Sequence, residues 1–269
     1  MKRIGRALIA LLGILLLTLF LFSAWKVYSI LHEYRSAERQ YDSLSQTVVA
    51  TSAPQPLSTP APSQVTEETP AEEAEPQIVE LSPISIDFEE LKKLSGDIVG
   101  WLYMPDTVIN YPVVQGTDND YYLRRFYDGS PSSGGTLFVD YVCPADFSGA
   151  NTIIYGHNMM NGSMFATLNQ FKDQSFYDEH PVIYLNTPAQ NYKIEFFTGY
   201  VSDPEGRIYT SSFPSAEAYG AFLDEIRSYS VFDSPVSVTT NDRIVTLSTC
   251  AYTGVDRRFV LAGKLIEIG

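Results

Sequence analysis

Three residues in this sequence are of types that perform acyl transfer when they meet in space. Cys250 ends one strand-like apolar run, and His157 follows the end of a second one at 151–155. Arg258 opens a third apolar run near the C-terminus. A thiolate attacks a carbonyl carbon, an imidazole moves the proton, and a permanently charged guanidinium stabilises the oxyanion. A cysteine, a histidine and an arginine therefore suffice for acyl transfer at a peptide carbonyl.

Each of the three residues also has a structural interpretation that its position in the sequence leaves open. A lone cysteine at a strand end is often a small buried apolar side chain. Cys250 could instead form a disulfide with Cys143, because bridging depends on distance in space and not on spacing along the chain. A histidine after a glycine is more often a loop residue, and an arginine at a strand start is usually a solvated charge.

The segments that must position these residues have the composition of short β-strands bounded by turns. The pattern predicts strands at 101–104, 108–114, 136–141, 151–155, 182–187, 192–201, 243–249 and 259–268. It predicts a short helix capped by Asp87 and Glu90, and helical segments at 120–126, 164–169 and 215–229. Many strands with few helices indicate a mainly β barrel or sandwich decorated with helices.

The order of the last strands predicts where the reactive residues meet. The loop between 243–249 and 259–268 is short enough for a hairpin, so Cys250 and Arg258 would lie at the same end of the sheet. His157 likewise follows the C-terminal end of its predicted strand, 151–155. We therefore expect one rim of a barrel to gather all three residues.

The N-terminal part of the chain predicts a membrane anchor followed by a stalk. Within residues 1–25, a run of 19 uncharged residues nearly spans a hydrocarbon core of about 30 Å, so we expect a cytoplasmic tail and a transmembrane helix. A cleaved signal peptide is the alternative, but its apolar region usually has only about 7–15 residues. Basic residues near the start favour an N-terminus inside the cell. Residues 26–49 predict a juxtamembrane helix, and the Pro- and Glu-rich residues 50–83 predict a disordered stalk that holds a folded domain, 84–269, off the membrane.

Charge and composition exclude several classes of protein. The chain has 18 basic and 32 acidic side chains, a net charge of −14, which argues against a nucleic-acid binder. Residues 50–90 alone carry −9, so most of the asymmetry lies in the predicted stalk and the few residues that follow it. Two cysteines exclude a disulfide scaffold and a Cys-rich zinc module. The sequence shows no glycine-rich phosphate loop and no metal-ligand cluster, so we expect neither a cofactor nor a metal.

The sequence around the three reactive residues resembles that of class B sortases, the cysteine transpeptidases of Gram-positive cell surfaces. Leu-Ser-Thr-Cys at 247–250 resembles the cysteine signature of the family, and Arg258 followed by Phe-Val resembles the arginine that begins its final strand. Ile-Ile-Tyr-Gly-His-Asn-Met at 153–159 resembles the class B histidine motif. Shorter similarities lie at 110–116, 120–123 and 180–185. The resemblance covers about residues 84–269, in the order of the family.

This resemblance implies a fold and a set of site residues. The fold would be an eight-stranded sortase β-barrel with N-terminal helices and one longer helix inserted between strands six and seven. Cys250 would attack the sorting signal and form a thioester, His157 would be the acid/base partner, and Arg258 would orient substrate and stabilise the oxyanion. The positions that match the substrate groove of class B enzymes are Asn110, Val114, Ser248 and Thr249.

The resemblance also implies partners and a location, and it leaves alternatives. The partners would be the C-terminal sorting-signal peptide of a secreted protein and an amine, from a peptidoglycan precursor or a pilin lysine. The catalytic domain would be extracellular on a single-pass anchor. A non-catalytic membrane-tethered binding or assembly module and a hydrolytic cysteine peptidase are the other hypotheses. Cys143 matches no functional cysteine of the family, and we expect it to be structural.

Overall fold

Eight of the ten β-strands in the described residues close into a barrel. The computed structural model describes residues 2–51, 80–250 and 256–269, and for residues 2–10 and Cys250 it describes the backbone alone. In chain order the strands are β1 (Val49–Thr51), β2 (Ile84–Ile86), β3 (Ile98–Tyr103), β4 (Asn110–Val114), β5 (Leu137–Val139), β6 (Asn151–Tyr155), β7 (Val182–Asn186), β8 (Asn191–Ser202), β9 (Arg243–Cys250) and β10 (Arg258–Ile268). The barrel order is β10-β8-β7-β3-β4-β5-β6-β9, which confirms the predicted eight-stranded, mainly β fold.

Four α-helices accompany the barrel in the described residues. They are α1 (Lys2–Val48), α2 (Phe88–Leu94), α3 (Gln174–Glu179) and α4 (Ala216–Ser228). The longer inserted helix is α4, which lies between the sixth and seventh barrel strands, β8 and β9, as the resemblance implied. Ser215 caps it by accepting a hydrogen bond from the amide of Ala218. Phe222 and Ile226 are fully buried in a second apolar cluster that includes Val260 of β10, so α4 covers the outside of the barrel wall.

Local signals in the sequence located most of these elements. Asp87 accepts a hydrogen bond from the amide of Glu90 at the start of α2, as the capping spacing predicted. The predicted helical segments at 120–126 and 164–169 are short 3-10 helices, Tyr121–Arg124 and Ala166–Lys172. The sequence did not predict α3, because six residues are too few for a helical period to show.

Two pairs of adjacent strands in the barrel are parallel, and one of these pairs positions the candidate site. The parallel pairs are β4 with β5 and β6 with β9, whereas β9 and β10 pair as an antiparallel hairpin. Parallel strands carry their C-terminal ends to the same edge of a sheet. The C-terminal ends of β6 and β9 and the N-terminal end of β10 therefore share one rim, which we call the catalytic rim.

The helix α1 connects the apolar N-terminal run directly to the barrel. One helix of the described chain is long and apolar enough to cross a membrane, and it lies within α1. Farther along the same helix Tyr41, Leu44 and Val48 are buried in the main core cluster. The sequence did not predict this contact, because the same apolar positions at helical spacing also fit a separate juxtamembrane helix.

The short strands on either side of the predicted stalk pair with each other. Thr51 of β1 lies opposite Ile84 of β2, so the residues on either side of the Pro- and Glu-rich segment pair in one small sheet. Residues 52–79 of that segment lie outside the described residues. The helix α1 already reaches the barrel before residue 50.

Candidate active site

The hairpin of β9 and β10 places the cysteine opposite the arginine. Cys250 and Arg258 are Cα partners in the antiparallel register, as the predicted hairpin requires. Directly opposed residues have Cβ atoms about 4.5–5.5 Å apart. The last residue of β9 and the first of β10 therefore meet at the catalytic rim.

The parallel pairing of β6 and β9 brings the histidine to the same level. Tyr155 of β6 lies opposite Ser248 of β9, and the amide of Gly156 donates a 3.1 Å hydrogen bond to the Ser248 carbonyl. His157 is two residues beyond Tyr155, and Cys250 is two residues beyond Ser248. The three candidate residues are thus gathered at one rim by backbone register alone.

A tight loop after β6 holds the imidazole of His157. The amide of Phe165 donates to the carbonyl of His157 at 2.9 Å, so the loop folds back on itself. A Cβ on Gly156 would lie 2.5 Å from side-chain atoms of Leu137 and Phe165. Only glycine leaves room there, so the residue before His157 is set by packing.

A backbone carbonyl fixes which nitrogen of His157 carries a proton. Nε2 lies 2.8 Å from the carbonyl oxygen of Leu123, and because a carbonyl only accepts, Nε2 must be protonated. Nδ1 is then the nitrogen that can gain and lose a proton near neutral pH. Sequence reasoning did not identify the contact from Leu123. Its backbone carbonyl makes this contact, so the type of its side chain does not indicate it.

The surroundings of His157 favour the neutral ring. Burial lowers the pKa of His157 below the usual 6.5, the hydrogen bond to Leu123 acts in the opposite direction, and the charges of Arg124 and Arg258 lower the pKa further. The influence of Arg258 also shows that its guanidinium lies within electrostatic range of the imidazole. At pH 7 the ring is therefore neutral and able to accept a proton.

We expect the acid limb of the activity profile to lie below pH 6.5. His157 must be neutral to accept a proton, so activity falls as pH drops through its lowered pKa. The unfolded chain binds this proton more readily, so the ring's contribution to stability also falls as pH drops below 6.5. NMR titration of His157 in a Cys250→Ala background measures the pKa without a thiolate nearby, and Arg258→Ala in that background should raise it. A pKa at or above 6.5 in the Cys250→Ala protein would contradict this prediction.

The two adjacent arginines have different partners. Arg257 forms an ion pair with Asp203 at 2.6 Å, on the side of β8. Arg258 forms an ion pair with Asp256 and is the first residue of β10. Because Arg258 lies opposite Cys250 and within electrostatic range of His157, the geometry favours Arg258 over Arg257 as the site arginine.

Three of the four residues matched to a substrate groove are buried, and the fourth is half-buried. Val114 is fully buried, and Ser248 and Thr249 are each 2 % exposed. The hydroxyl of Ser248 lies 2.9 Å from the hydroxyl of Tyr209, so it makes a hydrogen bond within the protein. Asn110 is half-buried at the rim, and its side-chain oxygen accepts a 2.7 Å hydrogen bond from the indole of Trp101. Of the four, Asn110 is best placed to contact a ligand.

The second cysteine lies at the other end of the barrel. Cys143 is buried, and its Sγ lies 3.7 Å from the carbonyl oxygen of Asn151. Asn151 is opposite Ile244, six residues before Cys250, which is about 20 Å of extended strand. A disulfide needs Cα atoms within about 7 Å, so the geometry excludes a Cys143–Cys250 bridge. Burial raises the pKa of the Cys143 thiol, which makes it unreactive.

The described residues offer no candidate metal centre. Among residues 2–51, 80–250 and 256–269, no three His, Cys, Asp or Glu side chains are grouped so that they could hold an ion. Among these residues, His157 and Arg258 lie at the catalytic rim, where the strand that carries Cys250 ends.

Comparison with known proteins agrees with the fold. Residues 102–266 match the sortase domain family. The chain is 34% identical to sortase B of Listeria monocytogenes over 258 residues, which is 95% of each chain. A Staphylococcus aureus sortase B–substrate complex is 36% identical with a TM-score of 0.65, covering 68% of this chain and 85% of that one. Sortase B complexed with triglycine is also 36% identical with a TM-score of 0.65, covering 68% and 86%.

Proposed function

The chain belongs to the sortase family, and we propose that Cys250, His157 and Arg258 form its catalytic centre. Its similarity to sortase B proteins over most of its length makes it a class B sortase, a cysteine transpeptidase. The observation that supports the proposed centre is the backbone register, which brings β6, β9 and β10 to one rim with these residues at their ends.

The first half-reaction is thioester formation. The neutral Nδ1 of His157 accepts the proton of the Cys250 thiol, and the sulfur bonds to the carbonyl carbon of the scissile peptide bond. The guanidinium of Arg258 stabilises the oxyanion of the tetrahedral intermediate. When the C–N bond breaks, His157 returns the proton to the leaving amine. The acyl group then remains on Cys250 as a thioester.

The second half-reaction resolves the thioester with an amine. The amine nitrogen bonds to the acyl carbon, the C–S bond breaks, and the proton released from nitrogen goes through His157 to the sulfur. The amine, His157 and Cys250 account for every bond and proton of this half-reaction, so it needs no cofactor. The relative bound to triglycine carries a peptide with a free amino group, which supports an amine as acceptor here.

We propose the C-terminal sorting signal of a secreted protein as the acyl donor. A relative has been crystallised with its substrate, and its similarity covers 68% of this chain. The acceptor would be the amine of a peptidoglycan precursor or of a pilin lysine. Asn110 at the rim is the proposed groove contact, and Val114, Ser248 and Thr249 would support the groove from beneath.

We propose that α1 anchors the enzyme in the cell membrane as a single span, with the N-terminus inside and the barrel outside. The apolar side chains from Leu11 to Trp25 are exposed, as expected of a helix that is covered by lipid. Lys26 lies over the rings of Phe22 and Trp25, a group of residues typical of the membrane–water interface.

Product analysis with an added amine tests the function. A peptide library incubated with the protein should identify the cleaved motif, and triglycine should then divert the acyl product from acid to amide. Transpeptidation predicts that the amide product rises with triglycine while total donor consumption continues. Hydrolysis alone at every triglycine concentration would indicate a peptidase, and no cleavage of any library member would favour a binding module.

A further inference from the structure

A cavity of about 260 Å³ lies between α1 and the barrel, and we call it the α1 cavity. Its α1 wall is a single face of the helix, because it consists of two adjacent rows of residues spaced one helical turn apart. The α1 cavity is smaller than the roughly 300–1,000 Å³ typical of sites for drug-sized ligands, so it has the size for one side chain. The residues of the α1 wall are Tyr34, Ala37, Glu38, Tyr41, Asp42 and Ser45.

The opposite wall of the α1 cavity belongs to the catalytic rim. Asn110, which lines the cavity, is the first residue of β4. Because β4 is parallel to β5 and β5 is antiparallel to β6, β4 begins at the rim where β6 ends. Met159 and Met164, in the loop after His157, also line the cavity. A donor peptide that contacts Asn110 therefore passes this cavity.

Two carboxylates at the α1 cavity have no charge partner in the described part of the chain. Glu38 and Asp42 are exposed, and neither forms an ion pair or a hydrogen bond with another described residue. Burial, with smaller contributions from the charges of Asp42 and Glu38, raises the pKa of Tyr111 to about 12, so both carboxylates lie near its hydroxyl. Like charges one turn apart on a helix repel each other, and a cation between them would relieve that repulsion.

The other surfaces of the α1 cavity suit an alkyl chain that ends in a positive charge. The rings of Tyr41 and Tyr111 meet edge-on with their centroids 5.2 Å apart, and the half-buried Tyr34 lines the same cavity. Aromatic rings attract cations, and rings and thioethers both provide apolar surface for methylene groups. An anion would instead meet two carboxylates, and an uncharged side chain would leave both of them unpaired.

The chain itself does not supply the cation. Segments 52–79 and 251–255, which lie outside the described residues, contain no lysine and no arginine. None of the basic residues whose side chains the structure describes lines the α1 cavity. The cation therefore comes from another molecule.

The α1 cavity lies within reach of a peptide bound at Cys250. Three steps between neighbouring strands lead from β4 through β5 and β6 to β9, which is about 14 Å at about 4.8 Å for each step. An extended peptide advances about 3.3 Å per residue, so this distance corresponds to about four or five residues.

We propose that the α1 cavity binds the side chain of a lysine or arginine in the acyl donor, about four or five residues from the scissile bond. The methylene groups would pack on the tyrosine rings, and the charge would lie between Glu38 and Asp42. This proposal rests on the proposed function, because it adds a requirement for the donor of that reaction. An acceptor amine carries the same alkylammonium chemistry, so separate experiments with donor and acceptor distinguish the two sources.

Methyl NMR tests the α1 cavity without catalysis. Full-length Cys250→Ala protein in detergent micelles, labelled with ¹³C at the methionine methyl groups, is titrated with Nα-acetyl-lysine methylamide. The signals of Met159 and Met164 should shift, whereas the signal of Met104, which is fully buried and does not line the cavity, should stay in place. The uncharged norleucine analogue should bind at least about fivefold more weakly. Equal binding of both probes, or no shift with either, would overturn the proposal.

Donor peptides test the source of the cation. Lysine and norleucine are compared at successive positions on both sides of the scissile bond of a cleaved library peptide. Lysine about four or five residues from that bond should raise kcat/KM by about five- to tenfold over norleucine. Added salt should reduce this preference, because the two carboxylates are exposed to solvent. The absence of a lysine preference at every position would refute the assignment to the donor.

Substitutions in α1 connect the preference to the cavity. Glu38→Gln should reduce the preference for lysine, and Glu38→Gln combined with Asp42→Asn should abolish it in both the titration and the kinetics. Glu33→Gln is the matched control, because it removes the same charge from an exposed position of α1 that does not line the cavity. It should keep the full preference. An equal preference in the double variant and in the control would contradict the proposal.

The acceptor is tested with Gly-Gly-Gly-Lys amide against its norleucine analogue. The donor assignment predicts equal transfer to both acceptors, and a lysine preference for the acceptor alone would overturn it. Failure of the unaltered protein to cleave any donor would instead refute the proposed function, whereas the methyl titration would still report on the α1 cavity.

Discussion

Cys250→Ala is expected to reduce cleavage of the donor peptide by about 10⁴-fold or more and to abolish the acyl-enzyme. Removing a nucleophile from a site whose other residues act through it costs nearly the whole catalytic effect. The rim still holds His157 and Arg258 in this variant, but neither can form the thioester. Mass spectrometry of the protein after mixing with donor peptide detects the acyl adduct, and chromatography of the peptide measures the turnover.

The second cysteine provides the matched control. Cys143→Ala removes a buried thiol about 20 Å along the strands from Cys250, so turnover per folded molecule should stay within about twofold. Its cost should appear in stability, about 1–2 kcal/mol in the free energy of unfolding, measured by urea denaturation. Wild-type turnover in Cys250→Ala, or loss of turnover in a folded Cys143→Ala, would contradict the assignment of the nucleophile.

Arg258→Ala is expected to lower kcat/KM by about 10²–10³-fold. The loss of one donor to an oxyanion typically costs about 2.7–4 kcal/mol of transition-state stabilisation. Arg258→Lys should recover only part of it, since an ammonium lacks the planar fork of the guanidinium. Thioester formation followed in single turnovers places the loss in the first half-reaction.

Arg257→Ala is the matched control for this prediction. Its side chain is 40 % exposed and paired with Asp203, and an exposed ion pair contributes about 0–1 kcal/mol, so activity should change by less than about threefold. Each variant loses one positive charge. A difference in activity between them therefore reflects the position of the charge and not the net charge of the protein. Inactivity of Arg257→Ala with normal activity of Arg258→Ala would reverse the assignment.

The local sequence was sufficient to predict the eight barrel strands and the candidate residues of the proposed site. The hairpin of β9 and β10 follows from two apolar runs and a short loop, and this nearest-neighbour pairing sets Cys250 opposite Arg258. The cap at Asp87 and the start of α4 at Ser215 are also local, since each depends on a hydrogen bond across three residues. Signals of this range are carried by the residue types themselves.

The tertiary structure decided what depends on distant parts of the chain. The parallel pairing of β6 with β9 aligns segments almost a hundred residues apart, and it also separates Cys143 from Cys250. The carbonyl of Leu123 sets the protonated nitrogen of His157 from 34 positions away, through a backbone atom that every residue has. Burial of Val114 and Thr249 depends on closure of the whole barrel.

The sequence by itself determined the candidate reactive residues, the strands that carry them and the apolar run at the N-terminus. The contact between α1 and the barrel was decided only by the tertiary structure. Proline and glutamate content predicted a stalk between membrane and domain, but Tyr41, Leu44 and Val48 dock α1 on the barrel before that segment begins. The physical reason is that an apolar stripe on a helix indicates that one face is buried, but it does not indicate which surface covers that face.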